Sequence, residues 1–177
     1  MKYFQMTYAE DKDYEIYGVA YISSDVDPFL LPISGKRVKS WVPIYFELRD
    51  GKFSDYLTND LGARLCSEKL KTIIENNLTK NDQLQWLEAI VVTKDGHPRK
   101  YYILHFPEDH PIINEEKSIM AGGMVVKPVI DQNCAKEHNI FTLPKEAGRT
   151  IFLSESLKKI IDKSKLTGMS FLKVSVA

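Results

Sequence analysis

Two stretches of the chain share one pattern of apolar and polar positions. Residues 67–75 read SEKLKTIIE and residues 154–162 read SESLKKIID, which agree at six of nine positions. Their apolar residues recur at the i, i+3 and i+4 spacing of one helix face: Leu70, Ile73 and Ile74, then Leu157, Ile160 and Ile161. Each stretch opens with a serine whose hydroxyl can accept a hydrogen bond from a first-turn amide. The pattern predicts two Ser-capped helices that bury this face.

Short apolar runs precede and follow both predicted helices, which indicates a strand–helix–strand unit used twice. The two copies cover about residues 63–92 and 150–176. Two diverged copies are too few for a solenoid. We therefore interpret the pattern as a duplication whose halves pack into one core, and we expect a single domain over residues 1–177.

Other segments rich in aromatic and β-branched residues predict further strands. These are residues 14–23, 41–48, 84–93, 100–106, 127–130 and 139–143. The turn Lys94-Asp95-Gly96 predicts a hairpin, because Asp-Gly tolerates the positive φ angles of a tight turn. Prolines and glycines predict long loops over residues 24–40 and 107–126. Many strands, two principal helices and few βαβ alternations indicate an α+β fold with a mixed, mainly antiparallel sheet.

Composition narrows the classes of partner. The chain has 177 residues, 44% of them hydrophobic, which is enough for one core. Lys+Arg and Asp+Glu both number 24, and this balance argues against capture of nucleic acid through its phosphates. The N-terminus has no apolar signal-peptide core, and no apolar run is long enough for a bilayer. We expect a cytoplasmic protein with neither a nucleic-acid nor a membrane partner.

The densest set of ionisable side chains follows the predicted strand at 100–106. It consists of His105, Glu108, Asp109, His110, Glu115 and Glu116. Their spacing does not match a metalloprotease helix, and Pro107 and Pro111 exclude a regular helix. We interpret the segment as an accessible acidic loop and expect no stoichiometric metal and no cofactor.

The two cysteines show no motif spacing, so we expect free, buried thiols. Cys66 precedes a predicted helix, where a thiol can become reactive. The matching position in the second copy is Leu153, however, which favours a packing role. Gly122-Gly123 lacks the Lys-Ser/Thr of a phosphate-binding loop. The sequence therefore predicts a protein that is not an enzyme.

A series of short features resembles a family of bacterial immunity proteins of polymorphic toxin systems, the immunity-protein-11-like group, also known as a domain of unknown function. These features are Trp41-Val42-Pro43, Asp55, the Ser67 helix, Trp86-Leu87, Tyr101-Tyr102-Ile103-Leu104, Lys127-Pro128-Val129-Ile130-Asp131, Ile140-Phe141 and the ending from Leu153 through Leu166-Thr167-Gly168. The resemblance runs from about Trp41 to the end, and the first 40 residues lie outside it. It implies a cytoplasmic protein that binds and neutralises a cognate toxin, with no catalytic residues.

Together these arguments predict stoichiometric occlusion of a cognate protein toxin. We place one contact surface on the acidic loop, which would suit above all a toxin that has a basic nucleic-acid site to cover. Its residues are Glu108, Asp109, His110, Glu115 and Glu116. Two alternatives stay open. One is a small hydrolase or transferase with a site around His105, His110 and Asp131; the other is a structural or regulatory module that oligomerises through an exposed strand edge.

Overall fold

A computed structural model describes residues 1–9, 16–23, 27, 31–145 and 150–177. Its strands are β1 (Tyr3–Tyr8), β2 (Val19–Ile22), β3 (Ile44–Arg49), β4 (Tyr56–Leu57), β5 (Leu65–Cys66), β6 (Gln85–Thr93), β7 (Pro98–His105), β8 (Ile119–Ala121), β9 (Met124–Lys127), β10 (Val129–Ile130), β11 (Ile140–Phe141), β12 (Ile151–Ser154) and β13 (Met169–Val176). Its helices are α1 (Glu68–Glu75), α2 (Gln132–Ala135) and α3 (Glu155–Lys163).

Two larger sheets organise these strands. A five-stranded sheet has the order β10-β13-β1-β12-β11, and a six-stranded sheet has the order β2-β3-β6-β7-β5-β4. Most neighbours are antiparallel, with β10–β13 and β3–β6 as parallel pairs. Strands β8 and β9 pair with each other as a separate hairpin. The prediction of an α+β fold with mixed, mainly antiparallel pairing is therefore confirmed.

The two strand–helix–strand units have the same topology. In the first, β5 and β6 both pair antiparallel with β7, which lies between them. In the second, β12 and β13 both pair antiparallel with β1 in the same way. Each helix therefore connects two parallel strands across a third strand. This shared topology is compatible with the duplication, which itself stays a prediction.

Both principal helices begin directly after the serines of the repeated pattern. Ser67 Oγ accepts a hydrogen bond from the Leu70 N–H at 3.2 Å, and Ser154 Oγ accepts one from the Leu157 N–H at 3.3 Å. These bonds satisfy amides that the first turn leaves without a helical partner.

The buried helix face is narrower than its apolar pattern predicts. Leu70 and Leu157 are buried, as are the residues four positions later. Ile73 is only half-buried, and Ile160 is 36% exposed. The expectation that Ile73 and Ile160 are buried is therefore wrong. Residues at i and i+4 lie along the line that faces the core, while i+3 lies at its rim.

Among the residues that the structure describes, the core has three parts. The first part contains side chains of both helices and both sheets, among them Leu70, Ile74, Leu157, Ile161, Met6, Leu104 and Leu153. The second includes alternate residues of β3 and β6, whose burial follows the two-residue period of a strand. The third includes Phe141 and Phe152 together with Ala135 of α2. Helices α1 and α3 thus share the first part of the core with both sheets.

Arg64 lies fully inside this structure, with 1% of its surface exposed. Its Nε donates to the Thr150 carbonyl at 2.9 Å, and its Nη2 donates to Thr142 Oγ1 at 2.5 Å. The guanidinium carbon lies 4.8 Å from the centre of the Phe106 ring. Arg64 precedes β5 of one sheet, whereas Thr142 and Thr150 adjoin β11 and β12 of the other. The side chain therefore links the two sheets.

Asp55 makes a second link, between the start of α1 and the segment after α3. Its carboxylate accepts hydrogen bonds from Ser67 Oγ at 2.7 Å and from the Thr167 N–H at 3.0 Å. A side chain at Gly168 would meet the Tyr56 carbonyl at 2.4 Å, and its φ of +85° also favours glycine. Asp55, the Ser67 helix and Thr167-Gly168 are features of the family resemblance. In the structure these features contact one another, because Asp55 bonds both Ser67 and Thr167.

Two segments of the structure differ from the sequence-based expectations. No strand was predicted at residues 3–8, yet β1 is the central strand of the five-stranded sheet. The predicted loop 107–126 contains β8 and most of β9. Within the predicted strand 14–23, residues 14 and 15 lie outside the described residues, as do 24–26 and 28–30 of the predicted loop 24–40.

In the described part of the chain, no helix is long and apolar enough to cross a membrane.

Candidate functional site

The acidic loop lies between β7 and β8, and most of it is accessible. Glu108, Asp109, Glu115 and Glu116 are exposed, whereas His110 is half-buried. The Asp109 carboxylate accepts a hydrogen bond from the Lys145 N–H at 3.3 Å. Asp109 therefore accepts a structural hydrogen bond that its replacement by lysine would remove.

His110 packs against a second histidine that the sequence reasoning did not connect with it. The ring centres of His110 and His138 are 4.3 Å apart. His138 Nδ1 lies 3.1 Å from Asp82 Oδ1, and the Asp82 side chain is fully buried. Asp82 and His138 are 56 residues apart in the chain, so no local motif marks the pair.

The pKa of His110 is lowered from its ordinary value. Burial is the main cause, because it disfavours the charged imidazolium, and the neighbouring His138 acts in the same direction. Glu108, Asp82 and Asp109 act in the opposite direction without overcoming it. The imidazole of His110 is therefore neutral at neutral pH while it packs against His138.

The residues of the alternative enzyme site make separate contacts. His105 is buried, with Nε2 2.6 Å from the Lys36 carbonyl oxygen. The Asp131 carboxylate caps α2 by accepting hydrogen bonds from the N–H groups of Asn133 and Cys134, and His110 packs on His138. The contacts described for these three residues thus do not join them into one centre. Among the described residues, no group of three or more His, Cys, Asp and Glu side chains has metal-binding geometry.

The cysteines differ from each other in environment. Cys66 is buried, and burial raises the pKa of its thiol far above the ordinary value. Such a thiol is a poor nucleophile at neutral pH, which fits the predicted packing role. Cys134 is exposed rather than buried, because it lies on the short surface helix α2. Both are free thiols.

An exposed apolar hairpin follows the acidic loop directly. The side chains of Ile119, Met120, Met124 and Val126 in β8 and β9 are 43% to 71% exposed. The turn between the strands is Gly122-Gly123, with φ angles of +57° and +78°, which suits the tight turn of a two-residue hairpin. Residues 108–127, which we name the acidic–apolar segment, therefore combine exposed carboxylates with exposed large apolar side chains.

Hydrogen bonds fix the base of this hairpin to the body of the protein. The Asn114 carbonyl accepts from the Ser118 N–H at 3.0 Å and from Ser118 Oγ at 2.7 Å. Ser118 Oγ in turn accepts from the Val129 N–H at 2.9 Å, and the Asn114 N–H donates to the Val129 carbonyl at 2.9 Å. Ile112, two residues before Asn114, is fully buried. The hairpin thus projects from an ordered base.

We predict that acidification destabilises the fold, since His105 and His110 both have a pKa lowered mainly by burial. In the unfolded chain these imidazoles take up protons near pH 6.5, whereas in the folded protein they do so only at lower pH. Between those values the unfolded state binds more protons, so the free energy of unfolding falls as pH decreases.

Urea unfolding of the wild type and His110→Gln at pH 7.5, 6.5 and 5.5 measures this effect. The variant is expected to lose part of the pH dependence, whereas the exposed control His97→Gln keeps it. An unfolding free energy that rises toward pH 5.5 in the wild type would contradict the assignment.

Comparison with known protein families identifies the family of the chain. The Imm11 immunity protein family matches residues 5–176, nearly the whole chain. The match includes most of β1, so the expectation that the first 40 residues lie outside the resemblance is wrong. No curated protein matches the chain.

Proposed function

Because the chain belongs to the Imm11 immunity protein family, whose match spans residues 5–176, we propose that it binds a cognate protein toxin in the cytoplasm and neutralises it by stoichiometric occlusion. Family membership is the observation that carries this proposal. A specific protein–protein interface of standard size buries on the order of 1,600 Å² in total, and occlusion requires an interface of this kind. A few residues at its centre supply most of the affinity.

The acidic–apolar segment supports a binding role. Specific interfaces combine an apolar centre with a polar rim, and this segment offers both on adjacent stretches of chain. We propose that the acidic loop contacts a basic surface of the toxin, such as a site that binds nucleic acid. The contact groups are the carboxylates of the loop and the side chain of His110. Charge complementarity of this kind speeds association and selects the partner.

The proposal describes a binding protein and not an enzyme. The support is that His105, His110 and Asp131 each contact a different part of the protein and do not meet in one site. Nucleophilic catalysis needs a base that reaches an activated hydroxyl or thiol. The contacts described for the Asp82–His138 pair lead instead to a second imidazole.

Co-production with the toxin encoded by the neighbouring gene tests the proposal. The pair is expected to co-purify as one complex, and growth is expected to recover only when the chain is made in at least equimolar amount. Recovery at clearly substoichiometric amounts would mean that the chain destroys or modifies something, and would overturn occlusion.

A further inference from the structure

The hairpin of β8 and β9 exposes apolar side chains on both of its faces. The register shifts between Ile119 and Met120, and beyond this point the two strands pair regularly. Successive residues of a strand point to opposite faces and partners across strands share a face, so the pair Met120–Val125 lies on one face and the pair Ala121–Met124 on the other. Met120 is exposed. Met124, opposite Ala121 in the register, is also exposed. A hairpin that covered its own protein would bury one face. Here both faces remain available to a partner.

This exposure is unusual for a surface element of a protein that functions alone. Isolated two-stranded hairpins are marginally stable in water, and neither strand pairs with any other described strand. Contiguous apolar side chains on a surface commonly mark an interaction site. The bonded base at Asn114, Ser118 and Val129 holds the hairpin in place before binding, which reduces the entropy lost on association.

Charge at the base of the hairpin is mixed. Two exposed carboxylates, Glu115 and Glu116, and the exposed Lys117 precede the first strand, and the exposed Lys127 lies opposite Ile119 at the end of the second. Because both apolar faces must be covered at once, a flat surface does not suit it. A cleft with apolar walls and a rim that carries both signs of charge is complementary to this arrangement.

We propose that the β8–β9 hairpin inserts into an apolar-walled cleft of the cognate toxin and blocks it. This inference rests on the proposed function and assigns the apolar anchor of its interface. Met120 and Met124 are suited to such a role, because the flexible thioether side chain fills irregular gaps. The glycine turn gives the tip the small cross-section that entry into a cleft requires.

The test uses the full-length chain and the purified toxin domain encoded by the neighbouring gene. The double variant Met124→Asp/Val126→Asp places charge on exposed positions of β9, so its folding and thermal midpoint are expected to match the wild type. Its dissociation constant for the toxin domain is expected to rise about 100-fold or more, as at interface hot spots. Met124→Leu is expected to stay within a few-fold of the wild type.

The control variant replaces an exposed apolar residue by aspartate on a different part of the surface. Leu172→Asp alters an exposed apolar residue of β13 and is expected to leave affinity unchanged. Wild-type affinity in the double variant would overturn the insertion proposal while leaving occlusion intact. A change of oligomeric state with unchanged affinity would overturn it in favour of self-association. Failure of the wild-type chain to bind the toxin domain would instead reject the proposed function, and the insertion with it.

Discussion

Replacing Arg64 by alanine is expected to lower the free energy of unfolding by about 3–5 kcal/mol, as large-to-small changes and broken networks in cores do. The variant loses hydrogen bonds to Thr142 and Thr150 across the two sheets and the packing of the guanidinium on Phe106. It leaves buried oxygen atoms with fewer donors and opens a cavity between the sheets.

Urea unfolding of Arg64→Ala and of the exposed control Arg37→Ala measures this difference. The control is expected to change the unfolding free energy by less than about 0.5 kcal/mol. Equal effects in the two variants would show that Arg64 does not link the sheets.

Reversing three charges of the acidic loop is expected to weaken toxin binding by roughly 10- to 100-fold at low salt, mainly through slower association. The variant is Glu108→Lys/Glu115→Lys/Glu116→Lys. Asp109 is kept, because its carboxylate accepts the Lys145 N–H and its reversal would confound binding with folding. Exposed charges contribute little to stability, so the thermal midpoint should change little.

A control with the same change of net charge separates local from general electrostatics. Glu47, Glu75 and Asp95 are exposed and lie outside the loop, so their triple reversal to lysine is expected to retain most of the affinity. The loss in the loop variant should also shrink at high salt, because salt screens exposed charges. Full affinity in the loop variant would place the interface elsewhere.

The sequence could predict the elements whose signals are local. A helix cap and an apolar face lie within nine residues of each other, so the starts of α1 and α3 follow from Ser67 and Ser154 alone. The β6–β7 hairpin follows in the same way from Asp95-Gly96 between two apolar runs. Strand β1 has no such local signal, because its partners β12 and β13 lie about 150 or more residues away in sequence.

Parts of the candidate site arise from contacts between residues that are distant in the sequence, and these contacts leave no local sequence pattern. The acidic residues of the loop were found because they are adjacent in the chain. The Asp82–His138 pair was missed because its members come from distant segments. The sequence predicts a loop where the apolar hairpin lies, since Gly122-Gly123 indicates a turn but not whether the flanking apolar residues are covered. Exposure is a property of the folded chain alone.

Titration of the purified toxin domain with the purified chain tests occlusion most directly. Toxin activity is expected to fall linearly with added chain and to reach its floor at a 1:1 molar ratio, with the same end point after a tenfold longer incubation. A stoichiometric blocker has no turnover, so time cannot substitute for amount. Complete loss of activity at a ratio far below 1:1, reached progressively with time, would contradict occlusion and identify a catalytic mode of protection.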